Sequence, residues 1–179
     1  MEHIWSPWRY KYIASVDERR GCVFCKPRDE GRDQRADQGE VRDRENLVLH
    51  RAELNFVILN LFPYTSGHLM IVPYDHVGSL LSLNAAATSE MMELAKAAQK
   101  ALQAEYKPDG FNIGMNLGRS AGAGVADHIH LHVVPRWVGD ANYVSIIGET
   151  RVLPEDLSTT YDRLRPYFKA VPDDTSEIC

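Results

Sequence analysis

No stretch of this 179-residue chain is apolar for anything near the ~20 residues that span a bilayer, so no membrane partner is expected. The opening Met1-Glu2-His3-Ile4-Trp5-Ser6-Pro7-Trp8 has neither the basic nor the apolar region of a secretory leader, which leaves the cytoplasm as the expected location. Basic residues are too few and too scattered to track a phosphate backbone. Twenty Lys and Arg against 25 Asp and Glu give a net charge of −5, and a nucleic-acid partner is not expected. An anionic substrate would have to be held by local donors: backbone amides, histidines and a few arginines. Cysteine is scarce, with three residues. Cys179 ends the chain and is given no role. Cys22 and Cys25 stand in a Cys-x-x-Cys spacing that, in a reducing compartment, suggests metal before disulfide. Internal repeats are also lacking.

What remains is ordinary globular material: 44% hydrophobic and 25% charged residues, enough for one domain over 1–179. Residues 1–20 carry Trp5, Trp8, Tyr10 and Tyr12, an arm expected to pack on the body or on a partner. Residues 21–27 form a tight knuckle, and 28–45, almost all charged or small, are expected to be a mobile, solvated loop. The core spans 46–148 and a C-terminal segment spans 149–179. Strands are expected at 46–50, 54–60, 68–72 and 111–117, and a helix at 85–106. That helix would be capped by Asn84, buried through Met91, Leu94, Ala95, Ala98 and Leu102, and stopped by Pro108-Asp109-Gly110. A short helix near 155–169 follows an irregular or weakly β stretch. The class is α+β: an antiparallel meander with one long helix packed on it.

The most informative segment is His128-Ile129-His130-Leu131-His132-Val133-Val134-Pro135. Histidine alternating with aliphatic residues has the period of a strand. Its imidazoles would share one face, about 6.6 Å apart, with Ile129, Leu131 and Val133 packed behind. A buried polar stripe is costly unless each ring has a partner, a metal or a substrate. A neutral imidazole is a good nucleophile toward phosphorus and leaves readily once protonated. Just upstream, Gly118-Arg119-Ser120-Ala121-Gly122-Ala123-Gly124 can bring several N–H groups to one anion, although no Gly-Lys-Ser/Thr of a Walker loop follows. Together the two segments suggest a phosphate site.

A catalytic zinc on the stripe is the rival reading. Three same-face positions spread over ~13 Å cannot all reach one ion at ~2.1 Å, though two could. Cys22 and Cys25 need two further ligands for a closed tetrahedral site. His76, in Pro73-Tyr74-Asp75-His76-Val77, is attractive, and His128 could supply the fourth. The alternative is two thiols without metal and an exposed His76. His3 and His50 look like surface or packing residues, and His68, after Gly67, like a structural one at the start of an inner strand.

The run His128 to Val134 is the full histidine-triad (HIT) signature, His-φ-His-φ-His-φ-φ, and the chain resembles HIT-family proteins from the knuckle to about residue 148. Leu59-Asn60, Gly67-His68, Asn112 to Gly118 and Pro135-Arg136-Trp137 extend the likeness. Trp5-Ser6-Pro7-Trp8-Arg9 and Arg136 to Tyr143 resemble the diadenosine tetraphosphate phosphorylase and Fhit-like branch. The resemblance implies His130 as nucleophile, forming a nucleotidyl-histidine at the α-phosphate, and His132 as the ring that contacts phosphates and assists the leaving group. It implies Asn60 on the ribose hydroxyls, Asn116 near the α-phosphate, and further nucleotide contacts from Ser120, Gly122, Gly124 and Trp137. It also implies a structural zinc on Cys22, Cys25, His76 and His128, no organic cofactor, and a homodimer with a continuous sheet. Many members carry Gln, Ser or Thr where this loop has Ala123-Gly124, so a side-chain donor is missing and backbone amides or Ser120 must replace it.

The expected activity is transfer or hydrolysis of an adenine-type dinucleoside polyphosphate, with phosphate or water as second acceptor. A nucleoside phosphoramidase acting on an AMP conjugate, a nucleotide-binding sensor with little turnover, and a zinc hydrolase are the alternatives.

Overall fold

The computed structural model describes residues 21–30, 36–140 and 155–169. The aromatic arm 1–20, the end of the core beyond 140 and the terminal Cys179 lie outside the described residues. Among the described residues five strands form one antiparallel sheet: β1 (Val48–Arg51), β2 (Asn55–Leu59), β3 (Leu69–Pro73), β4 (Gly110–Gly114) and β5 (Leu131–Arg136). The first three make the expected meander. The last of these strands, β5, then enters between β3 and β4, so the order is β1-β2-β3-β5-β4. This puts the histidine segment in the interior of the sheet.

Among the described residues four α-helices accompany the strands: α1 (Cys25–Glu30), α2 (Ala36–Glu45), α3 (Ala85–Tyr106) and α4 (Leu157–Lys169). Helix α3 has the bounds its periodicity predicts. The Asn84 side chain accepts from the Ala87 amide, Lys107 closes the far end in the left-handed region, and Pro108 follows. Its buried stripe, Ala87, Met91, Leu94, Ala95, Ala98, Ala101 and Leu102, packs with Val57, Leu59, Leu69, Ile71, Ile129, Leu131 and Val133 in the main core. The aliphatic half of the histidine alternation therefore faces the helices. A second, smaller core of Phe24, Val48, Phe56, Ile58, Met70, Val72 and Tyr74 covers the opposite face.

Two expectations are corrected. The charged stretch 28–45 is not a solvated loop in its described parts: α1 runs through Glu30 and Ala36–Glu45 is α2. Its charges have tertiary partners. Arg51 reaches the buried Asp43 (Nε to Oδ1, 2.9 Å) and the Pro27 carbonyl (2.7 Å), while Glu40 pairs with Lys169 (2.6 Å) and Arg44 with Asp162. Composition shows the charges but not what they will meet.

The second correction concerns the histidine segment, whose ladder pairing begins at Leu131 rather than His128. With Ile71 opposite Leu131, the antiparallel register would set Ile129 against Pro73, which has no amide hydrogen to give. The Ile129 amide turns instead to the Val77 carbonyl (2.8 Å). His128 and His130 thus stand on backbone that is held by tertiary bonds and free of the ladder.

Gly67 ends the β2–β3 connection at φ +76°, where a side chain is strained, and a Cβ there would lie 2.7 Å from Leu102 Cδ2 in the main core. Gly67→Ala is expected to lower the unfolding free energy by about 1–2 kcal/mol. Urea denaturation checks this, and a wild-type midpoint would contradict the strain argument.

Candidate active site and metal centre

Two backbone carbonyls decide the state of two histidines. A carbonyl can only accept, so the ring nitrogen facing it must carry the hydrogen. His128 Nε2 donates to the Pro73 carbonyl (2.9 Å), leaving Nδ1 as a lone-pair donor. His130 Nδ1 donates to the His128 carbonyl (3.0 Å), leaving Nε2 with the lone pair. His130 is 6% exposed, and burial holds its pKa below the ordinary histidine value, outweighing the opposing effect of that hydrogen bond. Near neutral pH the ring is an uncharged base with one nitrogen committed and the other available for attack.

His132 has its own support. Its ring centroid lies 4.8 Å from that of His130, nearly perpendicular to it, and it is less buried. The Tyr64 amide donates to His68 Nδ1 (3.1 Å), so His68 holds its hydrogen on Nε2 and donates to His132 Nδ1 (3.0 Å). A neutral His132 therefore carries its own hydrogen on Nε2, where it can donate to an anion or a departing oxygen. His68, expected to be purely structural, is a member of the site. Its position one residue before β3 was visible, but a cross-strand ring contact with a residue 64 positions away has no local signature.

The four cysteine and histidine residues suggested for metal come together. The ligand atoms of Cys22, Cys25, His76 and His128 all lie within 4.8 Å of one another. Cys22 Sγ is 3.2 Å from His128 Nδ1, Cys25 Sγ is 3.2 Å from His76 Nδ1, and Cys25 Sγ is 3.8 Å from His128 Nδ1. Ligands at ~2.1–2.3 Å around a tetrahedral ion stand roughly 3.5 Å apart, so these spacings fit one ion with little movement. The bond from His128 Nε2 to Pro73 is the outer-shell contact that metal-ligating histidines ordinarily make. Among the three stripe residues the roles divide: His128 turns to this cluster, while His130 and His132 stay together.

The other expected contacts are placed as follows. Asn60 leaves β2 beside His68, with its side-chain amide 3.3 Å from His68 Nδ1 and its oxygen accepting from the Phe62 amide. Asn116 is half-buried beyond β4, and Ser120 is exposed on a short 3-10 turn. In the glycine loop the Gly122 amide donates to the Arg119 carbonyl (3.0 Å) and the Ala123 amide to that of Gly118 (3.4 Å). Those two amides serve the loop itself, which reduces the expected cradle. Trp137 is half-buried on a turn closed by Asp140, which also takes both Nε and Nη2 of Arg136. His50 packs against Phe168, as a packing residue should.

A family model for the HIT domain matches residues 41–138. The chain belongs to the HIT domain family. The match starts after the Cys-x-x-Cys knuckle, so Cys22 and Cys25 lie outside it. Over 164 residues the chain is 38% identical to the AP-4-A phosphorylase of Mycobacterium tuberculosis, spanning 89% of this chain and 80% of that one. It is 26% identical over 145 residues to the adenosine 5′-monophosphoramidase hnt1 of Schizosaccharomyces pombe, covering 77% and 96% of the two. Among solved structures, a zinc-bound histidine triad family protein from Mycobacterium smegmatis superposes with a TM-score of 0.63 at 25% identity, over 83% of this chain and 94% of that one.

Cobalt(II) added to metal-stripped protein is expected to produce the intense visible bands of a tetrahedral ion with thiolate ligands, saturating at one ion per chain and lost in Cys25→Ser. A pale octahedral spectrum, or saturation unchanged by Cys25→Ser, would rule the cluster out as a metal site.

Proposed function

We propose that this chain is a nucleotidyl-transferring enzyme that cleaves dinucleoside polyphosphates, adenine types such as diadenosine tetraphosphate among them, through a covalent intermediate on His130. The observation that carries the reading is the fixed tautomer of His130, with Nδ1–H held by the His128 carbonyl and Nε2 left with its lone pair. Similarity to a phosphorylase of this substrate class over most of both chains supports it.

In the first step His130 Nε2 attacks the α-phosphorus and the bond to the polyphosphate oxygen breaks. His132, its Nε2–H maintained by His68, gives a proton or a hydrogen bond to the departing oxygen. In the second step inorganic phosphate or water attacks the same phosphorus and the bond to Nε2 breaks. Phosphate would return ADP beside ATP; water would return AMP. Asn60 and Asn116 would hold the ribose and the α-phosphate, with Trp137 nearby, and Ser120 and the Gly124 amide would meet phosphate oxygens. Gly122 would contribute backbone freedom more than a donor, since its amide is engaged within the loop.

The metal in this reading is zinc, held by Cys22, Cys25, His76 and His128. With four protein ligands and no open position, it supplies a structural cross-link rather than chemistry. The required thiolates fit a reducing compartment, the cytoplasm. The chain would act as a homodimer through β4, an edge strand with exposed Ile113 at its surface, where a second copy continues the sheet. A phosphoramidase acting on an AMP conjugate is the second reading, favoured by the likeness to the S. pombe enzyme; the same nucleophile would serve it.

Incubation with α-labelled diadenosine tetraphosphate, with and without inorganic phosphate, tests the proposal. ATP with ADP or AMP should appear, and an acid-labile label should stay on the protein. His130→Ala should lose both by more than 10³-fold while keeping its fold. Turnover within tenfold of wild type in that variant would refute the nucleophile, and turnover confined to an adenosine phosphoramidate would favour the second reading.

A further inference from the structure

Of the two residues between the cysteines, Phe24 has no part in the chemistry described above, yet it touches it. Phe24 is 5% exposed, and its ring centroid lies 5.0 Å from that of His130 and 5.5 Å from that of His128. The knuckle aims it there. The Cys25 amide donates to the Cys22 carbonyl (3.2 Å), closing a turn across Val23 and Phe24. Val23 is left 49% exposed while Phe24 is buried, a member of the smaller core that also holds Phe56, Met70 and Val72.

Resting on the reading of His130 as nucleophile, we propose that Phe24 is a positioning residue for that imidazole, carried to it by the cysteine knuckle. One hydrogen bond, from Nδ1 to the His128 carbonyl, fixes a point of the ring but not its rotation about that point. Flat contacts must fix the plane. His132 meets the ring nearly edge-on, at 77°, and Phe24 lies tilted at 48° against it. The Phe24 ring also meets His128 at 77°, so it steadies both the nucleophile and the residue whose carbonyl holds the nucleophile. Without it, the imidazole can swing and water can reach the His128 carbonyl, which would release the Nδ1–H tautomer. Displacing an attacking atom by about 1 Å can cost 10²-fold in rate, without affecting contacts made elsewhere on the substrate.

The test compares Phe24→Ala and Phe24→Leu with wild type and His130→Ala, reading kcat, KM, metal content and the long-range proton–nitrogen spectrum of ¹⁵N-histidine protein. Phe24→Ala is expected to lower kcat roughly 10- to 100-fold with KM within about threefold. It should keep one metal per chain and turn the His130 signals from a single Nδ1–H form into an average of both tautomers. Phe24→Leu, which keeps most of the volume but not the flat face, should recover part of the rate; if Phe24→Ala loses its metal, the leucine variant carries the test. Wild-type kcat and an unchanged His130 spectrum in Phe24→Leu would overturn the inference, and with His130→Ala inactive the nucleophile would stand. A His130→Ala enzyme that still turns over would instead overturn the nucleophile itself.

Discussion

Everything at the site depends on one residue being used twice. The His128 imidazole turns its Nδ1 toward two thiols, and its carbonyl takes the Nδ1 hydrogen of His130. A cluster able to hold a metal and an imidazole of fixed tautomer therefore share a single residue. Both contacts are placed by the backbone of one residue, so a displacement of that backbone reaches the cluster and the His130 ring together. The Pro73 carbonyl fixes the His128 ring in turn, so the orientation passes from backbone to ring to backbone to ring over three residues.

That arrangement exists because the ladder stops where it does. A β ladder occupies carbonyls, and had β5 begun at His128 its carbonyl would be placed to accept from a neighbouring strand rather than a side chain. Proline at 73 cannot offer an amide to β5, and the histidine segment approaches β3 through rings and through the Val77 carbonyl until Leu131. Sheet order matters as much. With β5 between β3 and β4, the residues behind the stripe are buried against α3, and the stripe faces the smaller core under the knuckle.

Much of this was legible in the chain. Helix α3 is clear because cap, apolar period and terminator agree at Asn84, Met91 to Leu102 and Pro108-Asp109-Gly110. The cluster able to hold a metal was legible because sulfur and imidazole are few and their chemistry is narrow. Three things were not. Helix α2 escaped notice because Asp43 and Glu40 find Arg51 and Lys169 only in the folded chain, and composition reads unpaired charge as solvated loop. His68 escaped because its partner is set by sheet register. The glycine loop was read as an open cradle, although the 3-10 turn inside it consumes the Gly122 amide.

The two rings beyond His128 show why the triad needs a fourth histidine. A nucleophile wants a free lone pair, while an assistant to the leaving group wants a hydrogen on the nitrogen facing the substrate; imidazoles two residues apart in one segment have no intrinsic reason to differ. Here the difference comes from what lies behind each ring. A carbonyl behind His130 forces the hydrogen inward, and an imidazole N–H behind His132 forces it outward. The Tyr64 amide makes the second case possible by occupying His68 Nδ1, and Thr65 helps anchor that turn to β5 through the Pro135 carbonyl (2.9 Å). Two identical side chains thus present a lone pair and an N–H, the opposite groups that attack and departure would demand in the proposed reaction, distinguished by one acceptor and one donor set in the fold behind them.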